Sequence, residues 1–423
     1  MRKKYWVNKI SILAAACIST AVLAGCENGK KTAEVMTEFS SGSVTEKEGI
    51  QQTKESLTAE EIPKTPEARS VYMLENSQPD SKGNRLVSEY GLSLALRMLA
   101  EAAEGETKEV IQSWTGGEED YSDLSNGAAE TANMFLLRDD HAAVKMKKSY
   151  EKTLKEKYTA KDIIFKKEQA EWAAVQANEF IENNTGGMIK DFFDADTLGG
   201  DDYLSSLVNI LHFKAGWKDE MKEIPEYSFR TAEGREIKVN GLKDTGSRYF
   251  ENDTMKGFVK PYGRENENDH SYSFYGILPN DDSGKIDLSK LDLENNTERS
   301  GEVELTVTMP EFEFETDSIL NDMLRNAGME SLFDGGCDLS GGFECKNGYV
   351  VKVSEVRQKA KVKLDKKGTE AAAVTAIKME TMAYMPAEKE EIQLDFNRPF
   401  VFMIYDNSIN RPLFMGVVEN PEK

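Results

Sequence analysis

The chain has 423 residues, with 53 Lys and Arg against 75 Asp and Glu, which gives a formal net charge of −22 at pH 7. This length can bury a large core, and size alone would suit two domains. The acidic excess argues against binding of nucleic acid or of an anionic membrane face, and it predicts a well-solvated surface. With three histidines, no catalytic Gly-x-Ser-x-Gly, no metal-ligand cluster and no phosphate loop, the sequence predicts neither an enzyme nor a cofactor or metal site.

The N-terminus has the pattern of a secretory signal over residues 1–25. Basic residues 2–4 precede a short apolar run from Ile10 to Ala24, which is too short and wrongly flanked for a membrane span. The run ends Leu-Ala-Gly-Cys and resembles the lipobox of bacterial lipoproteins. That resemblance implies cleavage before Cys26, a lipid on its sulfur, and a lipoprotein anchored at the cell surface. The alternative is an ordinary secreted protein in which Cys26 is incidental.

Residues 26–66 are rich in Lys, Glu, Thr, Ser and Gly and poor in aromatic residues, which predicts a disordered tether. A random coil of about 40 residues spans roughly 35 Å. The folded domain is therefore expected to cover residues 67–423.

Within that domain, apolar residues recur at helical or at strand spacing. A buried helix is predicted by Leu92, Ala95, Leu96, Leu99 and Ala103. Alternation with period two predicts strands at 271–279, 303–315, 349–357, 360–365 and 392–396, and an apolar run at 400–405 predicts a fully buried strand. No internal repeat is visible.

The stretch 366–379 would form a helix by intrinsic propensity alone, because it is rich in Ala, Glu, Lys and Met. It lies, however, between predicted strands on both sides. About twenty residues of this kind between strands indicate a long exposed loop that serves a function.

The sequence Gly-Thr-Glu-Ala-Ala-Ala-Val-Thr-Ala from residue 368 resembles the proximal hinge of the reactive-centre loop of serpins, the serine protease inhibitors. Further segments that resemble the family are 84–99, 177–189, 207–217, 398–405 and 412–421. The resemblance implies an α+β serpin fold with a large, mostly antiparallel central sheet, additional sheets, about eight to nine helices and an exposed loop at about 366–391. It also implies a monomer.

The family mechanism implied by this resemblance is inhibition as a suicide substrate. A protease cuts the loop and forms an acyl-enzyme, and the severed upstream half inserts into the central sheet before water can release the protease. The hinge residues are Gly368, Thr369, Glu370, Ala371, Ala372, Ala373, Val374 and Thr375. In an inserted strand every second side chain, from Thr369 to Thr375, would face the interior, and all of these are small and uncharged.

Two family spacings disagree about the reactive bond. Seventeen residues counted from Lys366 give Met382-Ala383, whereas counting back from Phe400 gives a bond near Glu388. The hinge count is preferred, since inserted length sets how far the protease is carried. Tyr384 is the runner-up, and Met385 is poor because a proline follows it. Met or Tyr suits a chymotrypsin- or elastase-like serine protease, with a cysteine protease as a second class.

The resemblance assigns the sheet-opening region to Ser88, Asn209, Trp217 and Gln358. Several residues there depart from the family pattern. Glu89 replaces a Pro, Gly91 replaces a Ser, and Gln358 stands beside Asn209 where many serpins carry a His. Lys366 replaces a Glu and is expected to lose an ion pair at the head of the loop. Together these changes predict a gate that opens more easily.

Two questions stay open at this stage. Cys337 and Cys345 could form a disulfide outside the cytoplasm or remain free thiols. The alternatives to an inhibitor are a non-inhibitory serpin-like binding protein and a lipid-anchored solute-binding protein. The first should carry bulky, charged or Pro residues at the inward-facing hinge positions, and the second should show repeated βαβ patterns; neither feature is present.

Overall fold

The computed structural model describes residues 15–25, 62–116, 128–264, 266, 269–293, 297–299, 302–346, 348–369 and 389–422, with only the backbone course for 15–25. Its described helices are α1 (Pro66–Asn76), α2 (Glu89–Ala100), α3 (Gly105–Thr115), α4 (Lys148–Lys157), α5 (Ala170–Asn184), α6 (Ala195–Gly199) and α7 (Asn321–Leu324). These seven described α-helices, which three short 3-10 turns accompany, are slightly fewer than the sequence predicts.

Helix α2 is the buried helix that the apolar spacing predicts. Ser88 caps it, because its Oγ accepts a hydrogen bond from the backbone N–H of Gly91 at 3.0 Å. Leu92, Leu96 and Leu99 are completely buried. The helix lies against the central sheet and so forms the floor beneath the strands described next.

The central sheet has eight strands in the order β5-β3-β6-β1-β17-β18-β7, with β15 pairing the outer edge of β17. Its strands are β1 (Ala15–Gly25), β3 (Ala129–Arg138), β5 (Lys161–Phe165), β6 (Tyr203–Phe213), β7 (Ala215–Gly216), β15 (Phe312–Ile319), β17 (Val351–Asp365) and β18 (Gly368–Thr369). Only the β3–β5 pair is parallel, so the sheet is mostly antiparallel, as predicted.

Three further sheets complete the described fold. The seven-stranded sheet contains β2 (Arg85–Val87), β10 (Arg248–Glu251), β11 (Met255–Pro261), β12 (Tyr272–Pro279), β13 (Thr297–Glu298), β20 (Phe400–Asp406) and β21 (Arg411–Val418). The four-stranded sheet contains β8 (Lys222–Arg230), β9 (Glu236–Asp244), β14 (Val303–Pro310) and β19 (Glu390–Asp395), and the last pairs β4 (Val144–Met146) with β16 (Phe343–Cys345). The antiparallel β20–β21 hairpin confirms the predicted C-terminal strands.

Strand β17 is one continuous strand, whereas the sequence predicts two. Val356, Gln358, Ala360 and Val362 alternate as buried residues along it. The sequence predicts a break between two strands here because the polar Gln358 interrupts the apolar alternation, although this residue occupies a buried position. The alternation of burial is nevertheless uninterrupted.

The N-terminal segment Ala15–Gly25 forms β1 and lies between β6 and β17. The sequence assigns this segment to a signal peptide outside the folded domain, and that assignment stays a prediction about the processed chain. In the unprocessed chain, an apolar run of small residues completes the centre of the sheet. None of the helices among the described residues is long and apolar enough to cross a membrane.

Candidate functional site: the head of the loop and the gap between β6 and β17

The loop leaves β17 through the two-residue turn 366–367 and immediately forms a new strand, β18. On one side Gly368 and Thr369 pair with Asp365 and Leu364, and on the other with residues 215–216 of β7. Thr369 is fully buried, and its hydroxyl lies 2.6 Å from that of Tyr262. The first two hinge residues are thus already part of the central sheet.

Gly368 is required by the close approach of β7. A Cβ at this position would lie 2.2 Å from the carbonyl oxygen of Ala215, which is backbone and cannot move aside. The other hinge residues, 370–375, lie outside the described residues, as do Met382, Ala383, Tyr384 and Met385.

Trp217 holds the turn at the head of the loop. Its indole N–H donates to the carbonyl of Asp365 at 3.1 Å, and its backbone N–H donates to that of Lys367 at 2.7 Å. The ring stacks on Tyr262 with centroids 4.5 Å apart and an interplanar angle of 15°. Burial raises the pKa of Tyr262 well above its ordinary value, so its hydroxyl stays neutral beside Thr369.

Below the Trp217 ring lies a buried ion pair that the sequence does not reveal. Lys260 Nζ lies 5.7 Å from the ring centroid and 2.6 Å from Asp244 Oδ1, and both charged side chains are almost completely buried. The pair fixes β11 against β9 directly under the head of the loop. Breaking such a pair by removing one partner is costly, because it leaves an uncompensated buried charge.

The expected loss of an ion pair at Lys366 is wrong. Lys366 Nζ lies 2.9 Å from Glu223 Oε1, and this hydrogen bond raises the pKa of the lysine. Replacement of the family's Glu by Lys is therefore compensated by an acidic residue on β8. Because both side chains are substantially exposed to solvent, the pair contributes little to stability.

Lower in the sheet, Gln358 clips β17 to the start of α2. Its side-chain oxygen accepts from the backbone N–H of Ser88 at 2.9 Å, and its Nε2 donates to the backbone carbonyl of Ser88 at 2.9 Å. Both residues are buried. The amide therefore closes a two-bond bridge between strand and helix.

Asn209 is not beside Gln358, contrary to the prediction. Both pair with Ser19 of β1, from opposite sides, so two strand spacings, about 9.6 Å, separate their backbones. The side chain of Asn209 instead donates to Asn133 Oδ1 at 3.0 Å. Its own Oδ1 is buried and has no hydrogen-bond partner among the residues whose side chains are described.

The substitution at Glu89 has a partner that sequence spacing does not indicate. Arg69 of α1 donates to Glu89 Oε1 at 2.7 Å, as does the hydroxyl of Ser93 at 2.7 Å, and the ion pair is almost entirely buried. This pair joins α1 to the first turn of α2. Removing either partner would leave a buried charge unpaired.

Cys337 and Cys345 are both free in the structure, the first buried and the second exposed, and no bridge joins them. Burial raises the pKa of Cys337 to about 12. Cys26 lies outside the described residues. Within the described part of the chain, no group of His, Cys, Asp and Glu could hold a metal ion.

The model of the serpin (serine protease inhibitor) family matches residues 69–421. The chain belongs to the serpin family. A serpin-like protein of Thermococcus kodakarensis is 31% identical to this serpin over 370 residues, which cover 81% of this chain and 82% of the relative. Family membership gives the chain a serpin fold rather than the repeated βαβ fold expected of the solute-binding protein considered above.

Solved serpin structures show the same fold as this serpin. The thermophilic serpin tengpin in its native state has a TM-score of 0.65 at 24% identity, covering 87% of this chain and 96% of tengpin. Human thyroxine-binding globulin has a TM-score of 0.64 at 19% identity, covering 86% and 98%. The predicted fold class is therefore confirmed.

Proposed function

We propose that this serpin inhibits a serine protease as a suicide substrate. One observation carries the proposal: Gly368 and Thr369 already pair as a strand at the head of the gap between β6 and β17. Cleavage further along the loop would free the residues that follow to continue that strand. The family model supports protease inhibition as the general class of activity.

Continuing the register of β18 along β17 gives each later loop residue a position. Ala371, Ala373 and Thr375 would lie opposite Val362, Ala360 and Gln358, respectively, since Thr369 lies opposite Leu364. These three β17 residues are buried, and residues directly opposite share a face of the sheet. Small hinge side chains are what this closely packed position can accept.

Thr375 would lie between Gln358 and Asn209 in that register. The unpaired Oδ1 of Asn209 would then face a residue that carries a hydroxyl donor. Ser19 of β1 takes this position in the structure, so the place between the two strands accepts a small hydroxyl residue.

The length of β17 supports Met382-Ala383 as the reactive bond. Met382 lies thirteen residues after Thr369. Val351, at the start of β17, lies thirteen residues before Leu364, the residue that pairs with Thr369. Insertion up to Met382 would thus use the full strand, whereas Glu388 would overshoot it by six residues. Tyr384 stays the runner-up, and the expected target is a chymotrypsin- or elastase-like protease.

In the proposed reaction, the protease nucleophile attacks the carbonyl of Met382 and the amine of Ala383 leaves, which gives an acyl-enzyme. The new C-terminal end of the cut loop, which is bonded to the protease through Met382, then moves along the gap between β6 and β17 as the strand forms. Hydrolysis of the acyl-enzyme is prevented because the protease is pulled along with the inserting strand and its catalytic groups lose their productive arrangement.

The test is incubation of the chain that begins at Cys26 with a panel of chymotrypsin-like, elastase-like and cysteine proteases. We expect a covalent complex at the summed mass on a denaturing gel, and mass spectrometry of the released fragment should begin at Ala383. Thr369→Arg should abolish the complex, because a charge would have to enter a buried position beside Tyr262. Lys367→Arg places the same side chain at the exposed turn and should trap normally.

A non-inhibitory role is the second candidate, since thyroxine-binding globulin is among the structures of similar fold. Clean cleavage of the loop without a covalent complex by any protease of the panel would favour it.

We also propose that cleavage before Cys26 and lipidation of its sulfur anchor this serpin outside the cytoplasm. Incorporation of labelled fatty acid in a bacterial host should be lost in Cys26→Ser. Equal labelling of the variant would refute the anchor without affecting the inhibitor proposal.

A further inference from the structure

The gap that the cleaved loop would fill is occupied in this structure by the N-terminal segment. β1 runs antiparallel to β17 over ten residue pairs and antiparallel to β6 over ten. An inserted loop would also run antiparallel to both strands, because β18 is antiparallel to β17 and to β7, which continues β6. The backbone directions of β1 and of an inserted loop are therefore the same.

The registers agree as well. Ala16 pairs with Lys361 on β17, three residues before Leu364, the partner of Thr369. On the other side Ala16 pairs with His212, three residues before Ala215, which is also a partner of Thr369. Both neighbours thus place Ala16 where loop residue 372 would lie.

This coincidence makes β1 a direct continuation of β18. Ala15 occupies the position of loop residue 371, two residues beyond the end of the described hinge at Thr369. Alternate positions then hold Cys17 and Ser19, where the loop would bring Ala373 and Thr375. Both series consist of small residues, and both put a hydroxyl residue between Asn209 and Gln358.

We propose that residues 15–25 act as an intramolecular plug that holds the loop's position in the central sheet. A chain that keeps this plug is a stabilised, non-inhibitory precursor, because the cleaved loop has no free strand position to enter. Hydrolysis of the Gly25–Cys26 peptide bond by a signal peptidase, with uptake of one water, makes the plug a separate peptide, and the gap becomes available when that peptide dissociates. The inference rests on the proposed function and adds the step that controls it.

The position of β1 is compatible with the length of chain that joins it to the domain. Residues 26–65 separate Gly25 from α1, and forty extended residues reach up to about 130 Å.

The experiment compares the chain 1–423 with the chain 26–423, both produced without membranes or lipidation. With the protease identified above, we expect at least about tenfold less covalent complex from 1–423, equivalent to about 1.4 kcal/mol. Amide hydrogen exchange in 205–213 and 353–361 should be slower in 1–423, because β1 covers both strand edges. Equal exchange in the two chains would overturn the plug, and so would equal trapping if 26–423 does trap the protease.

A synthetic peptide of residues 15–25 gives a second test on the chain 26–423. The peptide should slow exchange in both strands and suppress trapping. Ala21→Asp in the peptide should prevent both effects, because Leu207 and Val356, the residues opposite it, are completely buried. Ala21→Ser is the matched control, because it keeps a small, uncharged side chain at the same position and should still bind.

Failure of the proposed function gives a different result from failure of the plug. If 26–423 traps no protease, inhibition is refuted, and slower exchange in 1–423 still supports the plug. If 26–423 traps protease while the peptide and the N-terminal segment change neither trapping nor exchange, inhibition stands and the plug is refuted.

Discussion

The bridge between Gln358 and Ser88 gives a quantitative prediction for Gln358→Leu. Leucine fills a similar volume but removes both 2.9 Å hydrogen bonds. The carbonyl of Ser88 keeps the hydrogen bond from the backbone N–H of Leu92 at 3.2 Å. The N–H of Ser88 loses its bond to Gln358 in a buried position, which costs about 1–3 kcal/mol.

Adding the net loss of the second bond, we expect Gln358→Leu to lower the free energy of unfolding by about 2–3 kcal/mol. For a domain of this size, with an unfolding entropy of about 2.1 cal/mol/K per residue, Tm should fall by roughly 3–4 °C. Differential scanning calorimetry and urea unfolding of the chain 26–423 would measure both quantities.

The control for this prediction is Lys363→Leu, five residues along the same strand and only partly buried on the opposite face. A change there should stay within about 0.5 kcal/mol. If Gln358→Leu unfolds at the same temperature as the parent chain or as Lys363→Leu, the hydrogen bonds between Gln358 and Ser88 do not hold β17 to α2.

Three other predictions concern the head of the loop and the thiols. Gly368→Ala should reduce covalent trapping at least about tenfold on a denaturing gel, because its Cβ would meet the backbone of β7 at 2.2 Å; unchanged trapping would contradict the strand pairing. Lys366→Glu should destabilise by no more than about 1 kcal/mol, and Glu223→Lys in the same chain should restore the loss in a double-mutant cycle; an additive effect would refute the pair. Iodoacetamide should label the exposed Cys345 faster as pH rises, whereas the buried Cys337, whose pKa is raised to about 12, should stay unlabelled in the folded protein at pH 8. If mass spectrometry shows that both thiols are labelled at the same rate, Cys337 is not buried.

Local patterns in the sequence predict most of the helices and strands of the fold. Alternation of apolar and polar residues predicts the strands, and the apolar spacing from Leu92 predicts the buried helix α2. The hinge is recognisable because its small residues at every second position suit a strand that enters a closely packed sheet. Thr369, the first residue of that alternating series, is buried in the sheet.

Sequence patterns could not predict contacts between distant elements. Gln358 interrupts the apolar alternation of β17, and only its contact with Ser88, 270 residues away, explains a polar residue at a buried position. The same holds for the pair of Arg69 and Glu89, which joins two helices. The sequence predicts an export signal over residues 1–25 and does not reveal the pairing of 15–25 with β6 and β17, because a short apolar run does not distinguish an export signal from a buried strand.

The two-residue turn at 366–367 determines the order in which the strand can grow. Because β18 is tied to β17 by so short a connection, the loop can only add residues one after another, starting next to Thr369. Substitutions should therefore matter unequally: a bulky side chain at Ala371 would halt the process at its first step, whereas one near Met382 would stop only the last. If so, the tolerance of each loop position to large residues would increase steadily towards the cut, and a scan of inhibitor yield along the loop would record the direction of travel.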